Sequence, residues 1–248
     1  MKEKKNKGAR KVLLVAISAA LVAAVSVSAT LAYLTAKTDV KDNQFTASDN
    51  IVGEVIEPNY DPEEASKFLP GVPVDKDPML DNDTVVGDDE TFNIYGGMRL
   101  DFYIDKNCDG SYAASEQVTY EEFSRFVTIN DWAKDWTDVT STADPTAKSK
   151  YFIYNNIIQK DDGDSSAGTG SDTSSALFQS VTADKNITID PNNSAAVSII
   201  DVSAAPVKTT VYTKFNYKIK INGYAVKQEA DIGLNEAKSL IIDGLKNM

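Results

Sequence analysis

Residues 211–221 alternate without a break. Val211, Thr213, Phe215, Tyr217, Ile219 and Ile221 share one face, and Tyr212, Lys214, Asn216, Lys218 and Lys220 share the other. A period of two held this long demands an extended strand with one face on a core and the other toward water. Residues 150–160 (KYFIYNNIIQK) form a second β-prone run, 50–57 (NIVGEVIE) a short strand, and MRLDFYI within 91–104 another. Gly96-Gly97 ahead of that strand marks a bulge or a close approach. Residues 58–87 are rich in Pro and Asp and read as loop. Residues 119–126 read as a short helix with Thr119 as N-cap and Glu122 three residues on, a capping-box pattern. Trp132 and Trp136, four apart within 130–137, fall on one side of a helical turn. Residues 161–175 are Gly/Ser/Asp-rich and read as a mobile surface loop, with order resuming over 176–181. Residues 235–245 form a terminal helix with an apolar stripe of Leu234, Ala237, Leu240, Ile241 and Leu245. Short strands, turn-rich connections and few helices predict an all-β sandwich.

The N-terminus decides the compartment. A lysine-rich start, KEKKNKGARK, leads into the apolar residues 12–27 and then into small residues at Thr30-Leu31-Ala32. That order is an export signal. The apolar run of 16 residues is shorter than the roughly 20 a spanning helix needs. Cleavage is expected between Ala32 and Tyr33, giving a secreted protein free of the membrane; the alternative is an uncleaved anchor. The organisation that follows is a signal peptide over 1–32, an extended polar segment over 33–48, and one β-sandwich domain over 49–248.

Several motifs follow in order: Ala32-Tyr33-Leu34-Thr35, Asn43-Gln44-Phe45-Thr46, Leu69-Pro70-Gly71 with Val74-Asp75-Lys76-Asp77-Pro78, the tyrosine-rich run before a polar turn and Leu177-Phe178, and Tyr224-Ala225-Val226 before Glu236-Ala237. In this order the chain resembles the TasA and camelysin relatives, exported proteins of Gram-positive bacteria processed by a dedicated signal peptidase. Lys227 stands where that family carries Gln. The resemblance implies a jelly-roll-like β-sandwich and subunits that assemble into extracellular fibres.

Removing residues 1–32, which hold six of the 25 basic and one of the 37 acidic residues, leaves 19 against 36, a net charge of −17. Nucleic acid and anionic lipid are disfavoured as partners because their phosphates would be repelled. The single cysteine, Cys108, permits no intramolecular disulfide. Histidine is absent, which excludes Ser-His-Asp, Cys-His and HExxH chemistry. The metalloprotease label often attached to camelysin relatives therefore carries over by no histidine-based mechanism. No catalytic residues are assigned. The pairs Asp75/Asp77, Asp88/Asp89 and Asp161/Asp162 read as solvated loop residues rather than acid/base pairs. Tyr151, Tyr154, Tyr212 and Tyr217 with the two tryptophans read as core more readily than as a carbohydrate-stacking face.

The sharpest local motif is Asp105-Lys106-Asn107-Cys108-Asp109-Gly110 with Glu116, which satisfies D-x-[DN]-x-[DN]-G-x5-E. Asp105, Asn107, Asp109 and Glu116 offer side-chain oxygens and Ser111 its carbonyl, a donor set for Ca2+. The entering element reads as a strand, which argues against an EF-hand pair, and the site is expected to be structural because extracellular sites of this type are saturated by millimolar ion; the alternative is an acidic hairpin loop. Cys108 takes a non-ligand position. The leading functional expectation is a structural protein of the cell surface or biofilm matrix, homo-oligomeric or fibrous, with other matrix proteins as further partners. The segment 33–48 is its donated strand. The alternatives are a calcium-stabilised, glycan-binding adhesin and, third, a camelysin-type protease.

Overall fold

The alternating runs assemble into an all-β, sandwich-like fold with a few short helices and one C-terminal helix. The computed structural model describes residues 44–47, 51, 53–65, 70–83, 92–105, 111–144, 148–160, 171–184, 187–190, 193–201, 208–212, 216–230 and 232–248. In chain order the elements are β1 (Gln44–Ala47), β2 (Glu54–Ile56), α1 (Pro62–Ala65), β3 (Pro73–Asp75), β4 (Met79–Asp81), β5 (Ile94–Asp105), β6 (Gln117–Val118), α2 (Tyr120–Phe123), β7 (Val127–Asn130), β8 (Trp136–Asp138), α3 (Thr140–Ala143), β9 (Ser149–Tyr154), β10 (Ser180–Ala183), β11 (Ile187–Asp190), β12 (Asn193–Asp201), β13 (Lys208–Tyr212), β14 (Asn216–Lys227) and α4 (Leu234–Lys246).

The main sheet runs β1-β14-β5-β9-β8, with β6 also paired to β5. A second sheet, β3-β10-β7, lies across one of its faces, and β11-β12-β13 and β2-β4 form two smaller sheets. β5 and β14 pair antiparallel along their whole length, from Ile94 opposite Lys227 to Asp105 opposite Asn216. Alternate residues therefore serve two layers. Met98, Leu100, Phe102 and Ile104, with Tyr217, Ile219 and Ile221, enter the core together with Val127, Ile129, Val181 and Phe178. On the opposite face Tyr95, Tyr151, Ile153 and Val226 meet Ala237, Ile241 and Leu245 of α4.

Further along that second face the sheet is polar yet buried. Asp101, only 2 % exposed, accepts hydrogen bonds from Arg99 Nε (2.9 Å), Gln117 Nε2 (3.2 Å), Asn222 Nδ2 (3.1 Å) and Ser149 Oγ. These donors come from β5, β6, β14 and β9, so one carboxylate ties four strands. Arg99 also donates from Nη1 to the Leu245 carbonyl at 3.0 Å, satisfying an orphan acceptor at the end of α4. Burial alone disfavours the Arg99 guanidinium, but the hydrogen bond and attraction to Asp101 outweigh it and hold its pKa above the ordinary arginine value.

Several expectations are met. Thr119 Oγ1 accepts from Glu122 N at 3.1 Å and caps α2. Tyr151, Tyr154, Tyr217 and Trp136 are core residues. The terminal helix spans Leu234–Lys246, although Leu240 of the expected stripe is 46 % exposed. Burial follows Ala237, Ile241 and Leu245, and Leu240 lies beside that line rather than on it.

Others are corrected. The 58–87 stretch is not loop throughout, since it holds α1, β3 and β4. Pro73, which has no N–H to give, is tolerated because β3 is an edge strand. The run 211–221 is divided between β13 and β14, which belong to different sheets, with Thr213 and Phe215 outside the described residues. The run 150–160 is strand only to Tyr154, after which Ile158 makes a lone bridge to Ile94. Trp132 and Trp136 share no helix. Asp131, at φ 58°, turns the chain after β7, and Trp136 opens β8. Residues 161–170 lie outside the described residues, whereas Ser174 is fully buried and its Oγ accepts from Leu80 N at 2.8 Å. Among the described residues no helix is long and apolar enough to cross a membrane.

Gly96 and Gly97 are a close approach, one on each face. A Cβ at Gly96 would stand 2.5 Å from Leu80 Cδ1, and one at Gly97 would stand 2.6 Å from Ile241 Cγ2 and 2.8 Å from the Phe152 carbonyl oxygen. Backbone cannot yield as a flexible side-chain tip can, so Gly97→Ala should lower stability by about 1–3 kcal/mol in urea denaturation. Gly233→Ala, whose Cβ would meet nothing within 4 Å, weakens only the N-cap of α4 and should lower the midpoint less than Gly97→Ala.

Candidate functional site

The acidic motif begins where β5 ends. Asp105 is fully buried and pairs across the ladder with Asn216. Asn107, Cys108, Asp109 and Gly110 lie outside the described residues. The chain resumes with Ser111, exposed, and reaches Glu116 at the end of a 3-10 turn, Ala114–Glu116. Glu116 is 6 % exposed, and its Oε2 accepts from Ala113 N at 3.0 Å. Two buried carboxylates thus stand at the two ends of the loop, a donor set of the hard type that calcium takes. The entering element is a strand and the exit a 3-10 turn. Among the described residues no group of three or more His, Cys, Asp or Glu side chains is placed to hold a metal ion.

Of the remaining acidic pairs, Asp75/Asp77 lies among the described residues. Asp77 is 1 % exposed, contrary to its reading as a solvated loop residue. Its two oxygens accept from Asn59 N (3.1 Å) and Asn59 Nδ2 (2.7 Å), which fixes the turn after β2. Asp75 is exposed, and Asp88, Asp89, Asp161 and Asp162 lie outside the described residues. So do Ala32 and Tyr33, the expected cleavage pair.

Part of the segment expected to be extended is a strand. β1 lies parallel to β14 at one edge of the main sheet, Gln44 opposite Asn222 through Ala47 opposite Ala225. It takes four of the twelve positions of β14, and the segment that sequence reasoning assigned to another subunit pairs here with the chain's own sheet.

At the opposite edge, β8 and β9 join α2 and the turn after β7 to form a cleft of about 300 Å³. It is lined by Tyr120, Trp132, Trp136, Phe152, Asp138 and Lys150. The Trp132 and Phe152 rings stack at 4.9 Å and 21°, and Tyr120 meets Trp132 edge-on at 6.3 Å. Trp136 Nε1 donates to the Ser175 carbonyl at 2.9 Å, which anchors the cleft floor. Lys150 Nζ pairs with Asp138 Oδ2 and lies 5.0 Å from the centre of the Tyr120 ring and 5.4 Å from that of Phe152. Both tryptophans line the cleft, although they share no helical turn. The sequence reading missed Lys150 and Phe152, whose two-residue spacing on a strand places them on one face.

Burial raises the pKa of the Tyr120 hydroxyl, against a hydrogen bond from Trp132. Burial also works against the Asp138 carboxylate, but Lys150 and the Thr140 side chain and backbone N–H outweigh it and hold its pKa below the usual carboxylate value. No family model, curated protein or solved structure matches the chain.

A carboxylate whose folded pKa is depressed adds stability that is present above its unfolded pKa and lost as pH falls through the folded one. NMR titration should therefore place Asp138 below the ordinary aspartate value, and Lys150→Met should move it upward, because burial then acts with less opposition.

Proposed function

We propose that this chain is an exported structural protein of the cell surface or biofilm matrix of a Gram-positive bacterium, related to the TasA and camelysin group. In this reading residues 1–32 are removed and the protein works outside the cell, clear of the membrane, with no enzymatic activity. Copies assemble when the 33–48 segment of one pairs with the main sheet of the next. The observation that carries the reading is β1. It is an edge strand of four residues, parallel to β14, and no hairpin ties it to its partner. Parallel partners are joined only through long connections, so the same β14 positions accept a Gln44–Ala47 segment from their own chain or from another copy. Main-chain hydrogen bonds supply affinity in such strand addition. The charge of −17 on residues 33–248 opposes association, and salt screens it.

Protein beginning at Tyr33, the start that N-terminal sequencing of secreted material should give, is expected to scatter light increasingly with concentration and salt. Protein beginning at Ser48, which lacks β1, should stay monomeric. Monomers from both in salt and calcium would end the fibre reading.

Calcium serves that fold as a structural ion, held by Asp105, Asn107, Asp109, Glu116 and the Ser111 carbonyl. Binding to the folded state alone adds RT ln(1 + [L]/Kd), about 2.7 kcal/mol at about 100 times Kd. The melting temperature should rise from chelator to millimolar calcium, and Asp109→Ala should remove the rise. An unchanged melting temperature in the parent protein would dispose of the site.

A further inference from the structure

We infer that the cleft between α2, β8 and β9 is a binding site for a neutral polysaccharide strand, with one pyranose ring packed against Trp132 and its hydroxyls bonded by Asp138 and Lys150. This goes beyond the assembly proposed above and uses the other edge of the sheet.

The chemistry of the lining selects the ligand class by elimination. A cation is disfavoured because the position over the Tyr120 and Phe152 rings is taken by the chain's own Lys150 ammonium. An anion is disfavoured because Asp138 stands beside that ammonium in a chain with 37 acidic against 25 basic residues. A wholly apolar ligand would strip water from an ion pair and return no hydrogen bonds. An all-proline peptide offers flat apolar rings but only carbonyl acceptors, so it brings the Asp138 carboxylate no donor. A pyranose satisfies every wall. Its C–H face is apolar and flat, and its hydroxyls donate to Asp138 and accept from Lys150 at once.

The site is also built to stay open and in place. Asp138 Oδ1 accepts from Thr140 N at 2.9 Å, so the carboxylate is oriented before any ligand arrives. Trp136 is held by the Ser175 carbonyl, and Trp132 is braced by Phe152 and by Phe178 at 5.4 Å. Preorganised aromatic and polar groups lose little on binding. The volume of about 300 Å³ lies at the small end of ligand clefts, as suits one ring of a longer strand. The sheet order β1-β14-β5-β9-β8 sets the cleft at the edge opposite β1, so binding and assembly do not compete.

Both tryptophans of the chain line this cleft, so its whole tryptophan emission reports on the site. Protein beginning at Ser48, which cannot assemble through β1, is titrated with cello-, xylo-, manno-, laminari- and N-acetylchito-hexaose, with oligogalacturonate and with decaproline. A saturable blue shift or quench by at least one neutral hexasaccharide is expected. Lys150→Met should weaken it about tenfold or more, the loss of a hydrogen bond to a charged group, and Trp132→Ala should abolish it with an unchanged circular dichroism spectrum. No response to any neutral saccharide at millimolar concentration overturns the proposal, as does binding of oligogalacturonate or decaproline in their place. The parent titration alone decides if a variant fails to fold.

Discussion

The antiparallel ladder between β5 and β14 governs everything around it. Its twelve pairs run from Ile94 opposite Lys227 to Asp105 opposite Asn216. Side chains alternate strictly along both strands, so a slip of one residue would exchange the two faces. Met98, Leu100, Phe102 and Ile104 would then meet α4, and Arg99 and Asp101 would be driven into the apolar core between the sheets. The cost of burying those groups without partners keeps the register unique. Asp101 strengthens the constraint, because its donors from four strands converge only when all four are in place.

The two faces of this sheet solve different packing problems. The inner face is closed by the β3-β10-β7 sheet with large apolar and aromatic side chains such as Phe102, Phe123 and Phe178. The outer face carries α4 and the short α3, whose Ala143 joins the same cluster, and α4 comes close because glycines stand at the contact. Gly97 leaves room for Ile241, and Gly244 lies against the Tyr224 ring, where a Cβ would come within 2.4 Å. Where the helix ends, Arg99 bonds its last turn and hands the face over to the Asp101 cluster.

That arrangement leaves the sheet with two dissimilar edges. β1 closes one edge with a short parallel strand, the basis of the assembly proposal. β8 closes the other with three residues, and its Trp136 and Asp138 turn that edge into the wall of the aromatic cleft. A protein that polymerises along one edge while presenting a ligand cleft at the other would couple a fibre to a polysaccharide matrix without a separate binding domain.

Much of the fold was legible in the chain because it depends on local pattern. The alternation from Tyr217 to Ile221, the Thr119 cap, the Gly96-Gly97 approach and the terminal helix each follow from residues adjacent in sequence, where periodicity and steric demand act directly. The division of 211–221 between two sheets was not legible, nor was the burial of Asp77 and Ser174, since these depend on partners distant in sequence. The tryptophans illustrate both halves. Their spacing read as one side of a helical turn, but the chain takes a turn at Asp131 and a strand at Trp136. The sequence by itself determined that MRLDFYI within 91–104 and the run from Tyr217 to Ile221 become strands with one apolar face, that residues 235–245 become a helix, and the acidic, histidine-free composition of the chain. Only the tertiary structure decided that Lys150, Asp138, Tyr120 and the tryptophans meet in one cleft, and that residues 44–47 lie beside β14. Such meetings are set by long-range strand order and register, which no local pattern encodes.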